Sequence, residues 1–178
     1  LYVAKAANKD AYGSFDITVG PLSRLWRNAR KSQQFPTNGA INTARNRIGF
    51  NKVQLDSAAQ TITFLQPNMQ LDMGGIAKGY AADKVLALLQ SFGITNALVD
   101  AGGDMAAFGT PLDKKGWRVG INIPGQQEAL WKRKLILSNK AVATSGDAYQ
   151  YMLHKGKKYA HVIDARTGYG VTFQRNVT

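Results

Sequence analysis

Four stretches of the chain carry glycines, hydroxyls or charged side chains that could do chemistry, and the first of them could hold a phosphate. In Asp72-Met73-Gly74-Gly75-Ile76-Ala77-Lys78-Gly79 two glycines precede a helical pattern, so main-chain amides there can approach a ligand without Cβ interference. The unpaired amides and the positive end of the helix dipole favour an anion, and Lys78 in the first turn adds a full charge. A lysine there opposes the dipole unless an anion lies between them. The stretch is neither a Walker loop nor a dinucleotide fingerprint, so a tight turn with Asp72 helping to cap the helix explains it as well.

Asp100-Ala101-Gly102-Gly103-Asp104 lies between two apolar runs. Its glycines either form a bulge or let a flat ring come close to the backbone, and Asp104 alone reads as a turn former. Ala143-Thr144-Ser145-Gly146-Asp147 offers two hydroxyls and a glycine at a strand end, which suits ligand donors and turn chemistry alike. In His161-Val162-Ile163-Asp164, read as part of a strand from Lys158 to Ile163, His161 and Ile163 share one face and Val162 and Asp164 the other. Arg166 either pairs with Asp164 or is solvated. His154, beside Lys155-Gly156, reads as structural or exposed.

The elements that must position these residues follow from periodicity. Ile76 to Phe92 places Ile76, Ala77, Tyr80, Ala81, Val85, Leu88 and Leu89 near helical spacing, with Gly93 as the stop. Leu1 to Ala11 reads as the end of a helix, and Pro21 fits the first turn of another that carries Leu22, Leu25 and Trp26 on one face. Lys31 to Asn51 is polar and broken by Pro36 and Gly39, which reads as a surface excursion or a loosely helical lid. Val53 to Leu55 and Thr61 to Phe64 alternate as a hairpin. Short extended runs recur at Thr95 to Asp100, Met105 to Phe108, Trp117 to Ile123, Lys134 to Leu137 and Ala141 to Ser145. No second long helix intervenes among them, so the expected class is α+β, with a mostly antiparallel sheet, flanking helices and one core over residues 1–178.

Composition bounds the chemistry. With 178 residues and 44% apolar side chains the chain can bury a core. Cysteine is absent, which excludes disulfides, thiolate nucleophiles and cysteine metal sites. The 23 Lys and Arg against 11 Asp and Glu give +12, which suits a polyanionic partner. The basic residues fall in scattered small groups without a zinc-finger or RNP signature, so no nucleic-acid partner is expected. No apolar stretch approaches membrane-spanning length.

The run GGIAKGYAADKV resembles the signature of the ApbE family, the FAD:protein FMN transferases. FDITVGPL, LVDAGGDMAAFG, AVATSGD and HVIDARTG fall in that family's order, so the likeness runs from about Gly13 to Thr172. The resemblance implies an α+β body related to the tunnelling fold that holds FAD as substrate, with Mg²⁺ bridging the diphosphate and protein oxygens. It implies contacts from Gly75, Ile76 and Ala77, with the Ala77 carbonyl a metal ligand and Lys78 near the diphosphate. Asp83 is a further nucleotide contact, or else a solvated neighbour of Lys84. Gly103 and Asp104 lie toward the flavin; Thr144, Ser145 and Gly146, with Asp147 beside them, line the nucleotide; His161, Ile163 and Asp164 complete the set.

The implied reaction is attack of a Ser or Thr hydroxyl on the FMN phosphorus of FAD, with release of AMP. His161 and Lys78 are the expected catalytic residues, since an imidazole can take a proton near neutral pH. The acceptor would be a flavoprotein subunit of a respiratory or redox complex. Many members of the family are exported lipoproteins, which points to the bacterial cell envelope, at the periplasmic side of the inner membrane, with a lipid anchor upstream. Leu1 to Ala11 show neither a basic stretch followed by an apolar one nor a starting Met, so they carry no legible targeting signal and any leader would lie upstream. Members of the family also continue into segments that complete the Mg²⁺ site, so the sequence reads as the central part of a longer protein. Other functions compatible with the same residues are an FAD carrier, an FAD pyrophosphatase giving FMN and AMP, and a basic nucleic-acid module.

Overall fold

Apolar residues at helical spacing, interrupted by glycine and proline, produce four helices among the described residues: α1 (Tyr2–Asp10), α2 (Gly20–Ser32), α3 (Asn38–Arg45) and α4 (Ala77–Ser91). Nine short strands accompany them: β1 (Val53–Asp56), β2 (Thr61–Phe64), β3 (Ala97–Asp100), β4 (Met105–Phe108), β5 (Trp117–Val119), β6 (Leu135–Leu137), β7 (Lys140–Val142), β8 (Tyr151–His154) and β9 (Lys157–Ala160). The computed structural model describes residues 1–121, 134–145, 150–173 and 177–178. The class is α+β, and among the described residues every strand pair is antiparallel, in four small sheets rather than one large one. Among the described residues no helix is long and apolar enough to cross a membrane.

The chain divides into two compact units, Leu1–Met73 with Tyr149–Gln174 and Gly74–Ala148 with Arg175–Thr178. In the first, α2 starts with Pro21 in its first turn and buries Leu22, Trp26 and Ala29. Around Trp26, at 1% exposure, gather Ile41, Ala44, Ile48 and Met152. Phe35 meets the Trp26 ring edge-on at 5.4 Å, and Tyr159 stacks on it at 5.7 Å. The region expected as a surface excursion or lid is instead part of this core. Thr37 accepts the Ala40 amide as a helix N-cap, and α3 turns Ile41 and Ala44 inward. Three and four residues separate Ile41, Ala44 and Ile48, a buried stripe that the surrounding polar residues mask in the sequence.

The expected strand through Ile163 also differs. The sheet β8-β9 is a hairpin closed by Lys155 and Gly156, both at positive φ (48° and 74°), a two-residue turn that matches strand twist. Pairing ends at Ala160, beyond which His161 and Val162 form a bend. Ile163 then makes an isolated bridge to Gly170. His161 and Ile163 therefore do not share a strand face.

In the second unit α4 lies on the sheet β3-β4-β7. Ala82 and Leu86 of the helix pack with Ala97, Ala106 and Phe108 of the strands. A separate pair, β5-β6, packs Val119 and Leu137 against Ala107. Residues 122 and 123 of the run expected as Trp117 to Ile123 lie outside the described residues.

Candidate functional site

Strand register gathers three of the sequence blocks at one end of a single sheet. Asp100, the last residue of β3, pairs with Met105, the first of β4, and Met105 pairs with Val142, the last of β7. The turn 100–104 and the segment 143–145 therefore leave the sheet at the same end. Lys78, Ala82 and Leu86 follow one another at intervals of four residues, so they form one stripe of α4. Ala82 and Leu86 anchor that stripe on the sheet, and Lys78 continues it to the sheet end.

There the Lys78 ammonium reaches the turn. Its Nζ donates to the Gly102 carbonyl at 3.2 Å and lies 3.2 Å from Asp104 Oδ1. The turn is held by the Gly103 amide, which donates to Asp100 Oδ1 at 2.7 Å, and by the Ala101 amide, which donates to the Asp104 carbonyl at 2.9 Å. Gly102 and Gly103 have φ of 75° and 93°, and a Cβ on either would meet no atom within 4 Å. The left-handed backbone requires glycine, and the space outside the turn is open.

The N-terminus of α4 has Ile76 as its N-cap, no side-chain cap and no acidic residue in its first turn. The Asp72 carboxylate lies 3.8 Å from Arg27 in the first unit. Amides of a helix's first turn suit an anion. Gly75 and Ala77 are exposed at this corner and Ile76 is half-buried. Asp83 is exposed on α4, off the Lys78 stripe, while Lys84 lies over the Tyr80 ring at 5.3 Å. Thr144 and Ser145 are exposed; Thr144 Oγ1 is 2.9 Å from Thr178 Oγ1, and Ser145 bridges to Val177. Gly146 and Asp147 lie outside the described residues.

The fourth block belongs to the first unit and has a structural task of its own. Asp164 Oδ1 accepts the Arg166 amide at 2.9 Å and Arg166 Nε at 3.1 Å, so Arg166 is paired rather than simply solvated. The Asp164 carbonyl accepts the amides of Thr167 and Gly168. Gly168, at φ 80°, sits where a Cβ would come within 2.7 Å of Ile41, and its carbonyl accepts Trp26 Nε1 at 2.8 Å. Ile163 is half-buried. His161 is exposed; its amide donates to the Gln150 carbonyl at 2.8 Å. His154 stacks on Phe35 at 3.9 Å.

Hydrogen bonding to Arg166 holds the Asp164 carboxyl below its ordinary range. A depressed folded-state pKa contributes stability that is present above the unfolded value, about 3.9, and lost as pH falls through the lower folded value. Asp164→Asn is therefore expected to remove part of the acid-side slope of stability below about pH 4. The loss at neutral pH should be small, because the Arg166 side chain is 82% exposed and solvent screens the pair. Urea melts at pH 3 and pH 7 measure it, and an unchanged slope would contradict the assignment.

The family model described as the ApbE family matches residues 1–178, the whole chain. The chain belongs to the ApbE family. A Haemophilus influenzae protein named FAD:protein FMN transferase is 31% identical over 169 residues, which cover 92% of this chain and 49% of that protein. The solved structure of the ApbE protein of Thermotoga maritima aligns with a TM-score of 0.82 at 32% identity, over 94% of this chain and 54% of the other. The apo flavinyl transferase ApbE of Pseudomonas stutzeri aligns with a TM-score of 0.79 at 29% identity, over 96% and 52%. The chain thus spans about half the length of the relatives it matches, consistent with a central part of ApbE-family architecture.

Within this ApbE-family chain, then, Gly75, Ile76, Ala77, Lys78, Gly103, Asp104, Thr144 and Ser145 belong to the second unit, and His161, Ile163 and Asp164 to the first. The contacts of Lys78 with Gly102 and Asp104 were not among the sequence expectations, because 24 and 26 residues separate the partners and only the seating of α4 unites them. The signal for the turn was Asp100, three residues before Gly103, a spacing at which a carboxylate can accept a backbone amide.

Mg²⁺ fits these residues poorly. It requires about six oxygens in octahedral geometry. Among the described residues no group of three or more His, Cys, Asp or Glu is gathered for a metal. The Ala77 carbonyl is that of the first helical residue, aimed along the axis at the Ala81 amide with one lone pair to spare. The described residues do not by themselves form a Mg²⁺ site.

Proposed function

We propose that the complete protein transfers FMN from FAD to a Ser or Thr hydroxyl of an acceptor flavoprotein and releases AMP, in a reaction that depends on a divalent cation. The observation that carries this reading is the convergence of three sequence blocks at one end of β3-β4-β7, with Lys78 linking two of them. The names and structures of relatives that span the same blocks support it.

The chain's own groups divide the work. Amides of the 75–77 corner and the first turn of α4 bind diphosphate oxygens, and Lys78 supplies a full positive charge. The glycine turn at 102–103 leaves space for a planar group, and the hydroxyls of Thr144 and Ser145 donate to the nucleotide. The acceptor oxygen bonds to the FMN phosphorus as the bond from that phosphorus to the bridging oxygen breaks. AMP leaves with the bridging oxygen, and the hydroxyl proton passes to a base, a role assigned to His161. Positioning and charge neutralisation supply most of the rate.

The test is incubation of the complete protein with FAD, Mg²⁺ and a peptide carrying an acceptor Thr. Flavin fluorescence on the peptide in a denaturing gel is expected. FAD bound without labelling would favour a carrier, and free FMN with AMP a pyrophosphatase. His161→Asn should lower transfer about 100-fold while FAD still binds. Unaltered transfer by that variant would remove His161 from the role.

A further inference from the structure

The peptide group between Gly102 and Gly103 is held from both sides. Its carbonyl, that of Gly102, accepts the Lys78 ammonium at 3.2 Å, and its N–H, that of Gly103, donates to Asp100 Oδ1 at 2.7 Å. In a planar trans peptide these two groups point in opposite directions, so whatever holds the N–H also aims the carbonyl. Positive φ at both glycines, 75° and 93°, matches a type I′ turn. Type II′ differs by the middle peptide turned over, and a Gly-Gly pair accepts either form because no Cβ resists the change. No atom stands within 4 Å of where either Cβ would lie, so packing there does not hold the plane.

Turned over, the plane would offer Lys78 an N–H in place of an oxygen and Asp100 an oxygen in place of an N–H. Both contacts would be lost together. Building on the proposed FAD site, in which Lys78 meets the diphosphate, we infer that Asp100 is a positioning residue for Lys78. By holding the Gly103 amide it keeps the Gly102 carbonyl aimed at the ammonium. That carbonyl and Asp104 Oδ1, each 3.2 Å from Lys78 Nζ, then fix where the positive charge stands. The charge of Asp100 works in the other direction, since a carboxylate near an anion site disfavours the anion. Positioning and charge therefore have opposite signs, and a variant that removes one without the other separates them.

The complete protein is compared unsubstituted, as Asp100→Asn and as Asp100→Ala, by kcat/KM for FAD in the labelling of a peptide with an acceptor Thr. In D100N the amide oxygen still accepts from Gly103, so kcat/KM should stay within about threefold of the unsubstituted value. In D100A nothing holds that N–H, and kcat/KM should fall about tenfold. In the Lys78→Met background the same D100A change should cost less than about twofold, because the group that it aims is gone. A general disturbance of the fold would lack both the rescue by asparagine and the dependence on Lys78. Asp100 is exposed at the end of β3, and D100V, suited to a strand end, replaces D100A if the alanine protein melts much lower. Equal losses in D100N and D100A, no loss in D100A, or an undiminished loss in the Lys78→Met background would overturn the inference while the role of Lys78 stands. If Lys78→Met labels as fast as the unsubstituted protein, the proposed site and the inference both fail.

Discussion

Lys78→Met is expected to reduce flavin transfer by at least about 100-fold while the protein remains folded. Methionine keeps the unbranched stem that continues the stripe of Ala82 and Leu86, so the seating of α4 on β3 and β4 should survive. What disappears is the charge at the end of the stripe. Asp104 then stands uncompensated beside the place assigned to the diphosphate, and the corner passes from a neutral pair to net negative. The loss therefore exceeds that of one donor. The ion pair is partly exposed and is worth at most about 1 kcal/mol to the fold, so the melting temperature should move by a few degrees at most. Adding Asp104→Asn should restore part of the activity, and a double-mutant cycle on the labelling rate measures the coupling. Unaltered labelling by the Lys78→Met protein would remove Lys78 from the site.

Trp26→Ala is expected to have the largest effect on stability, about 3–5 kcal/mol by the scale of large aromatic truncations in cores. Trp26 is 1% exposed and touches Phe35, Tyr159 and Tyr169. Its indole N–H satisfies the carbonyl of Gly168, a buried bond that spans 142 residues of sequence. Truncation leaves both a cavity and an orphaned acceptor. A domain of ordinary stability has about 5–15 kcal/mol in all, so the first unit should be largely unfolded in moderate urea. Trp26→Phe should recover much of the packing and none of the hydrogen bond. Urea melts followed by far-UV circular dichroism distinguish the three proteins, and a loss below about 1 kcal/mol for alanine would contradict the assigned packing. The variant also bears on function, because Gly168 closes the turn that begins at Asp164 and fixes how the HVIDARTG block leaves β9.

Much of this architecture was legible because local patterns agreed with the final packing. Helix α4 announced itself by periodicity and Gly93, and the hairpin β1-β2 by alternation. Helix α3 was hidden because just two buried apolar residues, Ile41 and Ala44, lie among polar ones, while Pro36 and Gly39 imitate a loop. The hairpin β8-β9 was hidden because Lys155-Gly156 makes a two-residue turn without asparagine or aspartate, the residues that usually mark one. Gly170 passes so close to the Ala160 carbonyl that a Cβ there would clash with it.

The candidate site divides in the same way. Its glycine corners were readable, since a glycine before a helix or between two strands has few uses. The role of Asp104 was not. A carboxylate after Gly-Gly reads as a turn former or a ligand contact until the ammonium that it faces is located. Asp164 reads as a ligand contact on resemblance, and its carboxylate accepts Arg166 within its own turn.

The most direct measurement is a structure of the complete protein with FAD and Mg²⁺ bound. The account expects diphosphate oxygens within hydrogen-bonding distance of the Lys78 ammonium and of amides between Gly75 and Lys78, with the ligand crossing the open side of Gly102 and Gly103. A diphosphate held elsewhere, with Lys78 still engaged by Gly102 and Asp104 alone, would contradict it.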